Sequence, residues 1–274
     1  MNYKIKKVHV RNIQREIDIL SKKFNSNMDI LEFLKLFCDE YKSDFIEYDE
    51  KEKRNRVYEH SLRVFENVKM IIKFIDSQGI SIKPELMADV TIATLLHDIG
   101  KLYKDTSEHN IYSYIMTDYI LNKNNELTEE RKTRIKNAVL YHNDKDKYIG
   151  KVDFCTKILR DADTLDEEAC NGLYELLMVN ITNNSKKDNL NKIDYSTADK
   201  ILFDKTDYHH KEKVRNKLNL IYSKELYEYL LYDASARYFE IRYKDINNSD
   251  VIQNLLNFRG LKSFDDGILK IFIQ

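Results

Sequence analysis

Residues 88–101 read ADVTIATLLHDIGK, an apolar stretch with helical spacing that ends in a histidine, an aspartate and a glycine. His97 continues the stripe of Val90 and Ala93, so its ring is expected to face the core side of the helix. Asp98 follows at the helix C-terminus, where the helix dipole disfavours a carboxylate by a few tenths to about 1 kcal/mol. A divalent metal ion would compensate for both the buried imidazole and the poorly placed carboxylate.

Other titratable side chains interrupt apolar stripes in the same way. His60 lies on a valine stripe, and His142 ends a stripe of aliphatic residues. Asp163 shares a helix face with Cys155 and Leu159. A single histidine on an apolar face is more often a hydrogen-bonded core residue than a ligand. Since unpaired buried charge is costly and helix bundles build metal sites from facing helices, the repetition predicts convergence on a metal ion.

The composition predicts an all-α protein. Only one Pro and six Gly occur in 274 residues, and tight turns between strands use both types whereas helices exclude them. Lys plus Arg number 45 and Asp plus Glu 46, a net charge of −1 that argues against binding nucleic acid by bulk electrostatics. Three cysteines without paired spacing, no long apolar run and no secretion signal predict reduced thiols, no membrane span and a cytoplasmic location.

The chain is predicted to form one domain from three segments. Residues 1–50 form an N-terminal helical extension packed on the core, residues 51–180 form the core, and residues 181–274 form a helical C-terminal extension that completes the same domain. The polar segment 182–199 is predicted to be an exposed loop, with a lid over the pocket as the alternative. The aromatic-rich stretch 222–243 is predicted to pack as an ordinary helix rather than to stack on bases.

Two helix starts are marked in the sequence. Ser81 and Pro84 predict a helix that begins at Glu85, since proline is tolerated in the first turn. Thr128, three residues before Arg131, predicts a second start.

Four of the residues singled out stand in the order H…HD…D, in the motifs HSLRV, LLHDIGK and RDADTLDE. These motifs resemble the HD-domain metal-dependent phosphohydrolase superfamily, and the resemblance covers roughly residues 57–175. It implies an HD-domain helical bundle with additional N- and C-terminal helices. It also implies a divalent cation, manganese, iron, nickel, cobalt or zinc rather than calcium. The ligands implied are His60, His97, Asp98 and Asp163.

Two further histidines leave the number of ions open. His109 occurs in SEHNIYSYIM and His142 in AVLYHND. Similar histidines hold a second metal ion in binuclear members of the superfamily, with the residue matching Asp98 as the bridge, and contact phosphate in others. One ion is expected here, with two as the alternative. The GYP extension of cyclic-di-GMP phosphodiesterases does not follow His142, which counts against that activity.

The expected activity is hydrolysis of a phosphoester or phosphoanhydride of a small nucleotide by a metal-bound hydroxide. The ending DADTLD, with EHNIYS upstream of it, is most similar to small bacterial HD hydrolases that act on nucleotides, such as nucleoside triphosphate pyrophosphohydrolases. Asp98 and Lys101 are the expected catalytic residues, and the family's lysine at the position of Lys101 contacts phosphate. Asp161 or Asp166 could replace Asp98 in orienting the water.

Several alternatives stay open at this point. Arg63, one turn after His60, is a candidate substrate contact, and Arg56 and Arg160 are weaker ones. A metal-dependent nuclease or a cyclic-nucleotide phosphodiesterase is the rival enzyme, and a nucleotide-binding sensor or scaffold is the rival without turnover. The expected partner is a small phosphorylated substrate, and the sequence neither supports nor excludes a homo-oligomer formed through the helical flanks.

Overall fold

The computed structural model describes residues 7–21, 30–41, 50–123, 126–143, 152–169, 172–174, 176–178, 180–181 and 195–243. Every regular element in these ranges is a helix, which confirms the all-α prediction. The elements are α1 (Lys7–Ser21), α2 (Ile30–Glu40), α3 (Glu50–Ser77), α4 (Pro84–Leu96), the 3₁₀ helix η1 (Ile99–Leu102), α5 (His109–Asn122), α6 (Glu129–Tyr141), α7 (Phe154–Glu168), α8 (Ser196–Thr206), α9 (Tyr208–Lys217) and α10 (Ile221–Tyr243). None of the described helices combines the length and apolar character needed to cross a bilayer.

The chain divides into two compact units. The first unit comprises Met1–Lys69 and Ser81–Arg160, and the second comprises Met70–Ile80 and Asp161–Gln274. Helices α3 and α7 therefore each contribute residues to both units. Of the segment boundaries predicted from the sequence, the one after residue 50 lies inside the first unit and the one after residue 180 inside the second.

The first unit has a continuous apolar core to which the N-terminal helices contribute. Ile13 and Ile17 of α1 and Phe37 of α2 are fully or almost fully buried. They belong to one apolar cluster with Leu95 and Leu96 at the end of α4. Helices α1 and α2 thus cover the end of α4, directly before the HD pair.

A buried ion pair joins α4 to α6. The carboxylate of Asp89 is fully buried on α4 and accepts hydrogen bonds from Arg131 Nε at 2.7 Å and from Arg134 Nη1 at 2.5 Å. Thr128 caps the start of α6, as the sequence predicts, because its side chain accepts a hydrogen bond from the Arg131 backbone N–H at 3.4 Å. The ion pair therefore holds α6 against α4, and the Thr128 cap fixes the residue at which α6 begins.

The HDIGK turn lies directly against the first turn of α5. Helix α4 starts with Pro84 in its first turn and ends at Leu96, and η1 follows. The Gly100 N–H donates a hydrogen bond to Ser113 Oγ at 2.9 Å. A Cβ atom on Gly100 would lie 2.3 Å from His109 O and 2.3 Å from Ser113 N. Glycine is required here because any side chain would push α5 away.

In the second unit, the predicted polar loop is wrong in part, and the aromatic stretch of α10 is buried only in part. Residues 182–194 of the predicted polar loop lie outside the described residues, but residues 196–199 belong to α8, so the loop prediction is wrong there. Ala198 is buried on that helix, which explains why a polar stretch ends in regular structure. In the aromatic stretch of α10, Tyr227 and Tyr238 are fully buried and pack as predicted, whereas Tyr232 is 76% exposed.

Candidate metal centre

The centre of the candidate site is the carboxylate of Asp98, which is 1% exposed. Its Oδ2 atom lies 3.4 Å from His60 Nε2 and 3.6 Å from His97 Nε2. Its Oδ1 atom lies 3.1 Å from His109 Nε2 and 3.5 Å from His142 Nε2. One carboxylate therefore stands between two pairs of imidazoles, one pair at each oxygen.

Within each pair the imidazoles face each other through the same type of nitrogen. His60 Nε2 and His97 Nε2 are 3.3 Å apart, and His109 Nε2 and His142 Nε2 are 3.2 Å apart. The side chains come from α3, from the residue after α4, from the first position of α5 and from the residue after α6. The helix ends place them, since three of the four histidines stand at a helix terminus.

The other ring nitrogen of three histidines is held by the backbone. Nδ1 lies close to the carbonyl oxygen three residues earlier, at 2.6 Å for His97, 3.0 Å for His109 and 2.7 Å for His142. Because a carbonyl only accepts, each Nδ1–H donates, and a neutral ring then carries its lone pair on Nε2. Metal-binding histidines are oriented in this way by backbone carbonyls.

The Nε2 atoms of the four histidines face one another and the carboxylate of Asp98. Within the described part of the chain, Asp98 Oδ1 accepts no hydrogen bond of good geometry, although it is buried. Nitrogen and oxygen atoms this close together need a proton or a cation between them. His97, Asp98 and His142 offer ligand atoms that all lie within 4.8 Å of one another. The residues present thus fit a divalent cation, and the mix of imidazole and carboxylate suits a first-row transition metal.

Lys101 places a positive charge against the carboxylate of Asp98. Its Nζ lies 2.5 Å from Asp98 Oδ2, and its side chain is 30% exposed. Burial is the largest influence on the pKa of Asp98 and raises it, but His97, His109, His142 and Lys101 together lower it well below the usual value. Asp98 is therefore an anion, the form in which a carboxylate binds metal.

The remaining predicted residues lie outside this cluster or in the other unit. Asp163 is on α7, is 4% exposed and belongs to the second unit, so its place as a ligand stays a prediction. Arg63 is half-buried and Arg56 exposed on α3, and their contacts with substrate also stay predictions. The carboxylate of Asp161 accepts hydrogen bonds from the backbone N–H groups of Asn219 and Leu220, each at 2.8 Å. These residues directly precede α10, so Asp161 binds the backbone at the start of that helix.

Sequence reasoning missed the side chains that support the histidines. Arg160, a weak candidate for substrate contact, is 1% exposed, and its Nε donates to the Tyr141 carbonyl at 2.7 Å. Asn110, which carried no signal of its own, donates to the Leu140 carbonyl at 2.7 Å. Ser113 was part of the motif EHNIYS, but no structural role was predicted for it; its hydroxyl accepts the hydrogen bond from the Gly100 N–H in the HDIGK turn.

Residues 57–168 match the family model described as HD domain. Neither a curated protein nor a solved structure matches the chain. All the predicted ligands, from His60 to Asp163, lie inside the matched range, and so do His109 and His142.

Proposed function

We propose that the protein, whose residues 57–168 match the HD-domain family model, is a metal-dependent phosphohydrolase that cleaves a phosphoester or phosphoanhydride bond of a small nucleotide. The observation that carries the proposal is the carboxylate of Asp98 between two imidazole pairs. Buried charge of this kind without a bound ion is costly, so the arrangement has a chemical purpose.

The two sides of Asp98 define two sets of ligands. His60 and His97 would hold one cation with Oδ2, and we propose Asp163 as the further ligand of that ion. His109 and His142 would hold a second cation with Oδ1. When bound, such cations neutralise charge on a phosphoryl oxygen and lower the pKa of a water molecule towards about 7.

Lys101 has the position and the freedom to bind the phosphate. Its ammonium contacts Asp98 Oδ2, yet almost a third of the side chain is exposed, so it can turn towards an anion outside the cluster. A phosphoryl oxygen at this point would be neutralised by Lys101 while Asp98 stays engaged with the imidazoles. We propose Arg63 as a second contact, because it follows His60 by one turn on α3.

A nucleotide is favoured over a nucleic acid on two grounds. The motif pair EHNIYS and DADTLD resembles HD hydrolases of small nucleotides. The net charge of −1 also gives no support to a phosphate backbone held by bulk electrostatics.

The test combines metal analysis with a substrate screen. The purified protein is analysed for bound metals and then incubated with nucleoside mono-, di- and triphosphates and with single-stranded DNA and RNA, in the presence of Mn²⁺. We expect release of phosphate or pyrophosphate from nucleotides. His97→Ala and Asp98→Ala should lower this rate by at least about 100-fold, since loss of a supporting partner alone costs about 10–100-fold in metal affinity or activity.

The matched control is His209→Ala, because His209 is an exposed histidine of α9 outside the cluster. All three variants should keep the far-UV circular dichroism of the wild type. Hydrolysis retained in His97→Ala or Asp98→Ala would refute the assignment of the site, and cleavage of nucleic acid alone would replace the nucleotide proposal by a nuclease.

A further inference from the structure

Three successive carbonyls at the C-terminal end of α6, those of residues 139–141, are each bound by a side chain. The first accepts from His142 Nδ1 at 2.7 Å. The second accepts from Asn110 Nδ2 at 2.7 Å, and the third from Arg160 Nε at 2.7 Å. The last carbonyls of a helix have no partner within the helix and are commonly left to water. Here neighbouring helices supply two of the three donors, Asn110 from α5 and Arg160 from α7.

The two donors from neighbouring helices are buried and come from positions next to the candidate site. Asn110 is 4% exposed and directly follows His109 in the first turn of α5. Arg160 is 1% exposed on α7, within the first compact unit. Its positive charge at the C-terminal end of α6 is also favoured by the helix dipole.

The bond from Asn110 ties together the two helix ends that carry one imidazole pair. His109 begins α5 and His142 follows α6, and their Nε2 atoms are 3.2 Å apart. If the last turn of α6 frayed, His142 would lose its backbone partner and its distance to Asp98 Oδ1 would no longer be fixed. The carbonyls at 140 and 141 are the points at which such fraying is prevented.

We propose that Asn110 and Arg160 form a clamp on the end of α6 that positions His142 for metal binding opposite His109. We call these two residues the α6 clamp. They are positioning residues, because they act on the imidazole through the backbone of α6. The inference rests on the proposed metal site and adds to it the side chains that set the geometry of the His109–His142 half.

The test measures metal affinity rather than turnover. Full-length wild type, Asn110→Ala and Arg160→Gln are titrated with Mn²⁺ by calorimetry and with Co²⁺ by visible absorption. We expect each variant to weaken one class of site by about 10–100-fold and to change the Co²⁺ spectrum of that site. The other class should keep its affinity, because its imidazoles come from α3 and from the residue after α4. Arg160→Lys, which keeps a charged donor, should lose less than Arg160→Gln.

Thr128→Ala is the matched control, since it removes a cap at the opposite end of the same helix. It lowers stability but should leave both metal affinities unchanged from those of the wild type. Should Arg160→Gln fail to reach the wild-type circular dichroism, Asn110→Ala and Arg160→Lys carry the test.

The outcomes separate the two proposals. Unchanged metal affinity in Asn110→Ala and in the folded Arg160 variants overturns the clamp while the metal site stands. The same holds if the wild type takes up a single ion whose affinity the variants do not change. A wild-type protein that binds neither Mn²⁺ nor Co²⁺ refutes the metal site itself.

Discussion

Replacing Gly100 by alanine should both destabilise the protein and impair the site. The new Cβ would lie 2.3 Å from His109 O and from Ser113 N, whereas ordinary contacts begin at 3.4 Å. Both obstructing atoms are backbone, so α5 must move by about 1 Å, and overpacking of this kind costs about 1–3 kcal/mol. We expect the upper end of that range. His109 moves with α5, and a misplacement of about 1 Å can lower a rate by about 100-fold.

The assay is urea unfolding followed by circular dichroism, together with Mn²⁺ titration of the same samples. Gly79→Ala is the matched control. Gly79 has a positive φ of 77°, and no atom lies within 4 Å of the position that a Cβ would take, so alanine there meets only backbone strain of about 1 kcal/mol. It should leave metal affinity unchanged. A Gly100→Ala protein within about 1 kcal/mol of the wild type and with normal metal affinity would refute the close packing of η1 on α5.

Three further predictions concern residues away from the imidazoles. Asp89→Ala should lower the free energy of unfolding by about 3 kcal/mol in urea, because it leaves two arginines without their buried partner, and a loss under about 1 kcal/mol would contradict this. Asp161→Ala should cost about 1–2 kcal/mol through the start of α10 yet leave metal uptake intact, whereas lost uptake would restore Asp161 as a site residue. Burial raises the pKa of Cys38 to about 12 and also raises that of Cys155. In a Cys170→Ser background a thiol reagent should therefore label neither cysteine until urea unfolds the protein, and labelling of the native protein would disprove their burial.

Local sequence signals were sufficient to predict where α6 begins and that His97 is buried. Thr128 caps α6 as predicted, because an N-cap bond involves residues only three positions apart. The position of His97 on the core side also followed from periodicity, and the ring is fully buried. That His97 and Asp98 meet His60 across the fold was inferred from the repetition of titratable residues on apolar stripes and from the motif order, since the periodicity of one helix says which face is buried but not what that face contacts.

Long-range hydrogen bonds to the backbone could not be read from the sequence. Asn110 binds a carbonyl 30 positions away and Arg160 one 19 positions away, and a backbone carbonyl is the same chemical group at every residue. The polar composition of residues 196–199 predicted a loop where the structure has a helix, and the reason is related. That segment is polar on average, but the burial of Ala198 and Leu202 makes it part of a helix, and burial depends on the tertiary structure.

The imidazoles around Asp98 belong to chain segments that only folding brings within a few ångströms of one another. An extended chain presents no comparable set of ligands, so a divalent ion held at this site would bind the native state far more tightly than the denatured one. At a free concentration about a thousandfold above its dissociation constant, such an ion adds about 4.1 kcal/mol to the free energy of unfolding. Chelation would then lower the melting temperature, and the availability of metal in the surroundings would govern how long the protein survives.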